Sequence, residues 1–255
     1  MAVVAAGCSS AGSGAANSPA QPGTTTPSST SPPRTWSVVA LGDSVPYGSN
    51  CGCTPYPELT GEDLAAPPER TVTVTNNAVG GFTTDDVLHQ LTSDPAVIDQ
   101  VRRSDVVEIE VGANDVGHSG TCGSSVACYQ PAIPTVEKNL AVIVARTHEL
   151  TAGRRMLVVL LDYWSVWLGG QYAAAQGDAY VAAAAEVTDQ VNTVINDTAA
   201  TTHSGYVDLR AAFKGPDYAY DESHYLSSDG DHPNAAGHQQ IAAATVAVIR
   251  SALGI

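Results

Sequence analysis

Five residues, far apart in a chain of 255, stand where chemistry can be done. The apolar run Ser37-Val38-Val39-Ala40-Leu41 stops abruptly at Gly42-Asp43-Ser44, as a buried parallel strand does when it ends in a tight turn. Gly81 closes the stretch Asn76-Asn77-Ala78-Val79-Gly80-Gly81, and Asn114 sits in Gly112-Ala113-Asn114-Asp115. Asp229 and His232 lie three apart in Asp229-Gly230-Asp231-His232-Pro233, a spacing that lets one turn present both side chains on one side. A hydroxyl, an imidazole, a carboxylate to orient it and donors for an oxyanion are the parts that acyl transfer needs. Each residue also has a plain local role. Asp43 and Ser44 can cap a helix, Asn114 and Asp115 can form a turn, and His232-Pro233 can open a helix.

The elements that must carry these residues alternate. After the first strand, a helix is expected from Pro57 to Ala66, stopped by Pro67-Pro68. Arg70 to Thr75 alternates in β-branched residues and predicts a second strand. Thr83 or Thr84 can cap a helix through His89 and Leu91. Asp105 to Gly112 predicts the third strand, and the stripe Val136, Leu140, Ile143, Val144, Leu150 a helix over 135–150. Met156 to Leu161 predicts the fourth strand, Asp178 to Ala200 a long helix, Gly205 to Leu209 the fifth strand, and Ala235 to Leu253 the last helix. This order implies an α/β fold, a parallel sheet covered on both faces with right-handed crossovers, and a flavodoxin-like strand order is expected. Ser44, Gly81 and Asn114 then share the carboxyl edge of the sheet, where open α/β folds bind ligands.

Gly42-Asp43-Ser44, the Asn76 to Gly81 stretch, Gly112-x-Asn114-Asp115 and Asp229-x-x-His232-Pro233 together resemble the four sequence blocks of the GDSL, or SGNH, hydrolases. They occur in that family's order, from Val38 to the final helix. The nucleophile elbow Gly-x-Ser-x-Gly of the larger α/β-hydrolase group occurs nowhere in the chain. The resemblance implies a three-layer sandwich with a five-stranded parallel sheet, and a metal-independent serine hydrolase, without cofactor, acting on carboxylic esters. It implies that Ser44 attacks the ester carbonyl, that His232 takes and returns the proton, and that Asp229 fixes the imidazole tautomer, with Asp231 ranked second. The oxyanion would meet the N–H groups of Ser44 and Gly81 and the side-chain amide of Asn114; Gly80 competes with Gly81, and register from Asn76 favours Gly81. A long-chain lipase, an acetyl-sugar esterase and an acyltransferase all stay open, as does a non-catalytic surface lipoprotein that binds through the same fold.

Substrate contacts are expected from Phe82, which either walls an acyl pocket or packs on the following helix. Tyr163, Trp164 and Trp167 follow the fourth strand and either line the pocket or fill the core under a loop. His89, His118, His148, His203, His224 and His238 read as surface or loop residues. The even set Cys51, Cys53, Cys122 and Cys128 fits disulfides in an oxidising compartment, with a structural metal disfavoured because no Cys-x-x-Cys pair occurs. A bridge from Cys51 to Cys53 would close a very small ring and ranks last; bridges between the two cysteine loops would rigidify the rim of the site.

Net charge is −15, from 11 basic and 26 acidic side chains, which argues against nucleic acid and against adsorption to anionic lipid. Val3-Val4-Ala5-Ala6-Gly7-Cys8 followed by a Ser/Thr/Pro/Ala/Gly-rich segment, 9–35, resembles the lipobox and tether of bacterial lipoproteins. The expected organisation is a remnant of a lipoprotein signal over 1–8 with a lipid on Cys8, a disordered tether over 9–35, and a hydrolase domain over 36–255. Only seven residues precede Cys8, without a basic n-region or a full h-region, and whether the true start lies upstream of Met1 stays open. An extracellular or cell-surface monomer is expected, either lipid-anchored to membrane through Cys8 or secreted, and acting on a small-molecule, lipid or acyl-sugar ester.

Overall fold

The computed structural model describes residues 35–66 and 70–255. Cys8, the tether up to residue 34 and the Pro67-Pro68 helix stop lie outside the described residues. The chain runs β1 (Thr35–Gly42), α1 (Ser44–Tyr47), α2 (Tyr56–Ala65), β2 (Thr71–Asn76), α3 (Thr84–Ser93) and α4 (Pro95–Arg103). It continues through β3 (Val106–Glu110), α5 (Val126–Tyr129), α6 (Ile133–Leu150), β4 (Leu157–Leu161) and α7 (Gly170–Ala174). It ends with α8 (Asp178–Thr202), β5 (Gly205–Val207), α9 (Leu209–Lys214) and α10 (Ala235–Leu253).

All five strands are parallel, in the order β2-β1-β3-β4-β5, the flavodoxin-like arrangement. Helices α2 and α10 pack together on one face; α3, α4, α6 and α8 cover the other. The strands are apolar on both sides because both sides are covered: Val38, Val39, Leu41, Val106, Val107, Val159, Leu160 and Leu161 are all buried. The expected stripe on α6 is buried at Val136, Leu140, Ile143 and Val144, each contributing about 1.5–3 kcal/mol by leaving water. Helix α4 has no counterpart among the expected elements. Asp94 splits it from α3 and caps it, its carboxylate accepting from the N–H groups of Ala96 and Val97, with Pro95 at the first helical position.

Two acids on the central strand break the apolar rule. Glu108 and Glu110 are fully buried; neither carboxyl oxygen of Glu108 has a hydrogen-bond partner among the described residues, and Glu110 faces the buried Tyr56 hydroxyl. They stand opposite the small residues Ala40 and Gly42 of β1, which leave them room. Burial pushes both carboxyls well above the ordinary range; for Glu108 the charge of Glu58 adds to it. The folded chain therefore keeps the Glu108 proton where the unfolded chain has released it. That contribution to stability is fully present below the unfolded value of about 4.3 and is lost as pH rises toward the folded one, by up to about 1.4 kcal/mol per pH unit. Glu108→Gln, which cannot titrate, should gain in Tm relative to wild type by more at pH 8 than at pH 5. A gap between the two proteins that is the same at both pH values would contradict a buried, protonated Glu108.

Candidate active site

The Ser44 turn is built from three constraints. Gly42 has φ +145°, and a Cβ there would lie 2.0 Å from the Glu110 carbonyl oxygen, so only glycine lets β1 run this close to β3 at its end. Asp43 N–H donates to that same carbonyl at 3.1 Å. The buried Asp43 side chain then caps α1, accepting from Val45 N–H at 3.1 Å and from the Tyr163 hydroxyl at 2.6 Å. Burial raises the Asp43 carboxyl to about 7, against the lowering effect of those two hydrogen bonds. Ser44 is thus the first residue of a one-turn helix, and its N–H and hydroxyl make no hydrogen bond among the described residues. Asn76 ties the helix from β2, donating through Nδ2 to the Pro46 carbonyl at 2.7 Å.

The second block folds against the first. Asn77 and Val79 N–H groups continue the β1–β2 ladder, to Ala40 and Gly42 carbonyls at 2.9 and 3.1 Å. The chain then turns through Gly80 and Gly81, where Gly81 takes φ +86°. A Cβ on Gly80 would lie 4.0 Å from Ser44 Cβ, so this turn passes directly beside the serine. The N–H groups of Gly80 and Gly81 are both unpaired among the described residues, and the competition between them is not resolved by burial or bonding. Asn114 is exposed in a 3-10 turn, Ala113–Val116, after β3; its Nδ2 donates to the Phe82 carbonyl at 2.9 Å. That bond uses one amide hydrogen and leaves the other free. Asp115 holds the turn to the start of α3, accepting from Thr84 Oγ1 at 2.6 Å and Thr84 N–H at 3.0 Å.

His232 comes from the loop before α10. A bridge between Leu226 and Pro233, the Ser227 N–H to His232 carbonyl bond of 2.8 Å and the Asn234 cap on Ala236 and Gly237 hold that loop. His232 Nδ1 lies 2.7 Å from Asp229 Oδ2, against 4.0 Å from Asp231 Oδ2, so Asp229 is the carboxylate paired with the imidazole. Asp229 Oδ1 accepts from the N–H groups of Asp231 and His232, both at 3.1 Å. Burial works against the Asp229 charge, yet the bonds from His232, Asp231 N–H, His232 N–H and Asn50 together hold its carboxyl below the ordinary range. Burial raises Asp231 instead. Nδ1 is committed to Asp229, which leaves Nε2 as the ring nitrogen without a hydrogen bond among the described residues.

These pieces meet around one cleft of about 380 Å³, whose walls include Ser44, Asn114, His232, Tyr163, Trp167 and Asp231. The elements thus bring together Ser44, Asn114 and the Asp229–His232 pair, beside the Gly80-Gly81 turn. The aromatics divide. Trp167 lines the cleft and donates through Nε1 to the Val116 carbonyl at 2.8 Å. Tyr163 forms part of the wall, with its hydroxyl committed to Asp43. Trp164, its neighbour in the chain, turns away to stack on Phe213 at 4.3 Å and is core. Phe82 packs against the apolar core, and the cleft is walled without it.

Three expectations need correction. Cys51 pairs with Cys53, Cα atoms 5.1 Å apart, and Cys122 with Cys128, 5.7 Å apart; each bridge stays within its own loop and none links the two. Gly52, at φ +59°, takes the left-handed conformation that lets the small ring close. His238 is neither surface nor loop: it is fully buried in α10, its Nδ1 accepting from Tyr56 N–H at 3.2 Å, and burial lowers its ring to about 4. Asn50, Tyr180, Gln176 and the cleft-facing position of His118 carried no signal in the sequence, since none belongs to a motif block. His118 meets Trp167 edge-on at 4.9 Å and lies 5.0 Å from Tyr180.

Comparison with known proteins agrees with this geometry. Residues 40–240 match the GDSL-like lipase/acylhydrolase family. No curated protein matches the chain. Among solved structures, the lipase Lip_vut3 from a goat rumen metagenome is 21% identical, with a TM-score of 0.66 over 85% of this chain and 97% of that one. A variant of Axe2, an acetyl-xylooligosaccharide esterase from Geobacillus, is 22% identical, with a TM-score of 0.62 over 86% and 94%. A lipase/acylhydrolase from Enterococcus faecalis is 23% identical, with a TM-score of 0.58 over 85% and 96%. Identities this low show a shared fold, while the family match runs from β1 into α10 and takes in every motif block. The chain belongs to the GDSL-like lipase/acylhydrolase family and is an ester-hydrolysing enzyme.

Proposed function

We propose that the chain cleaves carboxylic esters through an acyl-enzyme on Ser44. The observation that carries this reading is the Asp229–His232 pair opening onto the same cleft as Ser44 and Asn114. In the first half-reaction Ser44 Oγ bonds to the acyl carbon and its proton passes to His232 Nε2. The carbonyl π electrons move onto oxygen, and that anion is met by the Ser44 N–H, the Gly81 N–H and the free Asn114 amide hydrogen. Collapse of the tetrahedral intermediate expels the alcohol, which leaves with the proton from His232. Water then attacks the acyl carbon while His232 Nε2 takes its proton; collapse breaks the bond from the acyl carbon to Ser44 Oγ, His232 returns the proton to Oγ, and the carboxylic acid departs. Ser44 Oγ has no hydrogen bond to His232 in the free enzyme, as is common before substrate tightens such contacts.

A second reading concerns the substrate. The cleft is polar and aromatic together, with His118, Gln176, Tyr180 and Asp231 around Trp167, and it is small. That mixture supports a short acyl group on a hydroxyl-rich alcohol, such as an acetylated sugar, over a long-chain lipid, which needs a continuous apolar trough. The Cys8 lipobox and the two disulfides support a lipid-anchored protein in an oxidising compartment.

Wild type should hydrolyse p-nitrophenyl acetate, and Ser44→Ala should lose at least about 10³-fold in kcat, with Asn114→Ala losing about 10²-fold. Equal inertness of wild type and Ser44→Ala would favour a non-catalytic binding protein. Across a p-nitrophenyl ester series, acetate should exceed palmitate in kcat/KM by more than about 10-fold; the reverse order would reject the short-acyl reading. Intact mass of protein expressed behind a full signal should show Cys8 diacylated, and a free Cys8 thiol on secreted protein would reject the anchor.

A further inference from the structure

We propose that Asn50 is a positioning residue of the Asp229–His232 pair, locking the carboxylate and tying the nucleophile's loop to the base's loop. This rests on the catalytic reading above. The four acceptor sites of the Asp229 carboxylate are all filled: Oδ1 by the N–H groups of Asp231 and His232, Oδ2 by His232 Nδ1–H and by Asn50 Nδ2 at 2.5 Å. The Asn50 amide nitrogen also lies 3.3 Å from His232 Nδ1. Its orientation follows from charge, since an amide oxygen at that distance from a carboxylate would be repelled. Three of the four bonds come from the base's own loop; Asn50 alone reaches across from another part of the chain, 179 residues away. Without it Oδ2 is left with His232 Nδ1–H alone, and the carboxylate loses this tie to the loop that follows Ser44.

The backbone of Asn50 is held as firmly as its side chain. Its carbonyl accepts from Ser227 Oγ at 3.2 Å, and Ser227 N–H in turn donates to the His232 carbonyl. Its φ of +57° is a left-handed conformation that asparagine tolerates and most residues do not. Behind it, Ser49 N–H returns to the Ser44 carbonyl at 3.0 Å. Ahead of it, the Cys51–Cys53 bridge sits against the buried His238 ring, the sulfurs and a ring nitrogen lying within 4.8 Å of one another. A path of fixed groups therefore runs from Ser44 through Ser49 and Asn50 to Asp229 and His232, and sets how far the hydroxyl stands from Nε2.

Two variants test this. Asn50→Gly keeps the left-handed turn and removes the amide. Asn50→Asp keeps the turn, replaces the donor to Asp229 by a carboxylate that is repelled from it, and adds a negative charge beside the ring. The titratable groups already facing His232 are Asp229 and Asp231 from its own loop, Asp43 from the β1 turn and His238 from α10. A further carboxylate beside the ring favours the imidazolium, so in Asn50→Asp the acid limb of the kcat/KM profile should move up by about one pH unit. The His232 ring resonances, followed by NMR without substrate, should show the same displacement. Asn50→Gly should lower kcat about tenfold at near-constant KM, with the fold retained by circular dichroism. An acid limb and ring titration that stay at their wild-type positions in Asn50→Asp overturn the proposal, whatever Asn50→Gly does to the rate. A displaced ring titration in a protein whose wild type hydrolyses no ester would instead sink the esterase reading and leave Asn50 where it is placed here.

Discussion

The position of Ser44, the nucleophile of the proposed reaction, depends on the approach of β1 to β3 at Gly42. The missing side chain lets the Glu110 carbonyl come close enough to receive Asp43 N–H, so the chain leaves the sheet in a fixed direction. Asp43 then closes α1 from beneath, with Tyr163 closing on Asp43 from β4's end. The first, third and fourth strands thus contribute to one turn. Because the sheet is parallel, the Gly80-Gly81 turn and the Asn114 turn arrive at the same edge without further arrangement.

This firmness is obtained at a cost in solvation. Asp43, Glu108 and Glu110 lie in the interior beneath the serine, all with carboxyls raised by burial. Buried acids without partners are usually eliminated from cores because desolvation outweighs what they gain. Here Glu108 and Glu110 are kept on the strand that leads to Asn114, with small residues opposite them on the strand that leads to Ser44, while Asp43 at the Ser44 turn is satisfied by Val45 N–H and the Tyr163 hydroxyl. Protonated, they are tolerable; ionised together, they would repel one another directly under the site. At the cleft's other wall the opposite device operates. Asp229 keeps its charge through four hydrogen bonds, so that the imidazole has a fixed anion behind it.

Much of this is legible in the chain because its causes are local. A continuous apolar run ended by Gly42-Asp43-Ser44 reads as a buried strand entering a turn, and the last helix spans Ala235 to Leu253 in the structure as in the expectation. Where the cause is tertiary, the sequence is silent. Tyr163 and Trp164 are adjacent aromatics with opposite destinations, one to Asp43 and one to Phe213, set by where the chain bends after β4. His238 looks like any polar residue on an alanine-rich helix until Tyr56 N–H is placed against it. The Cys51–Cys53 ring looks too small until Gly52 is seen in the left-handed region. Asn50 belongs to no motif at all; its partner stands far along the chain, and only the folded loop brings them together.

The central claim is that Ser44, Gly81 and Asn114 surround one developing anion while Asp229–His232 stands behind the hydroxyl. A crystal structure of the enzyme treated with a small alkyl phosphonate tests it most directly. The account predicts a covalent phosphonyl group on Ser44 Oγ, its anionic oxygen within about 3 Å of Ser44 N, Gly81 N and Asn114 Nδ2, and the His232 ring facing the ester oxygen. A phosphonyl group on another residue, or an adduct on Ser44 whose oxygen points away from Gly81 and Asn114, would contradict it.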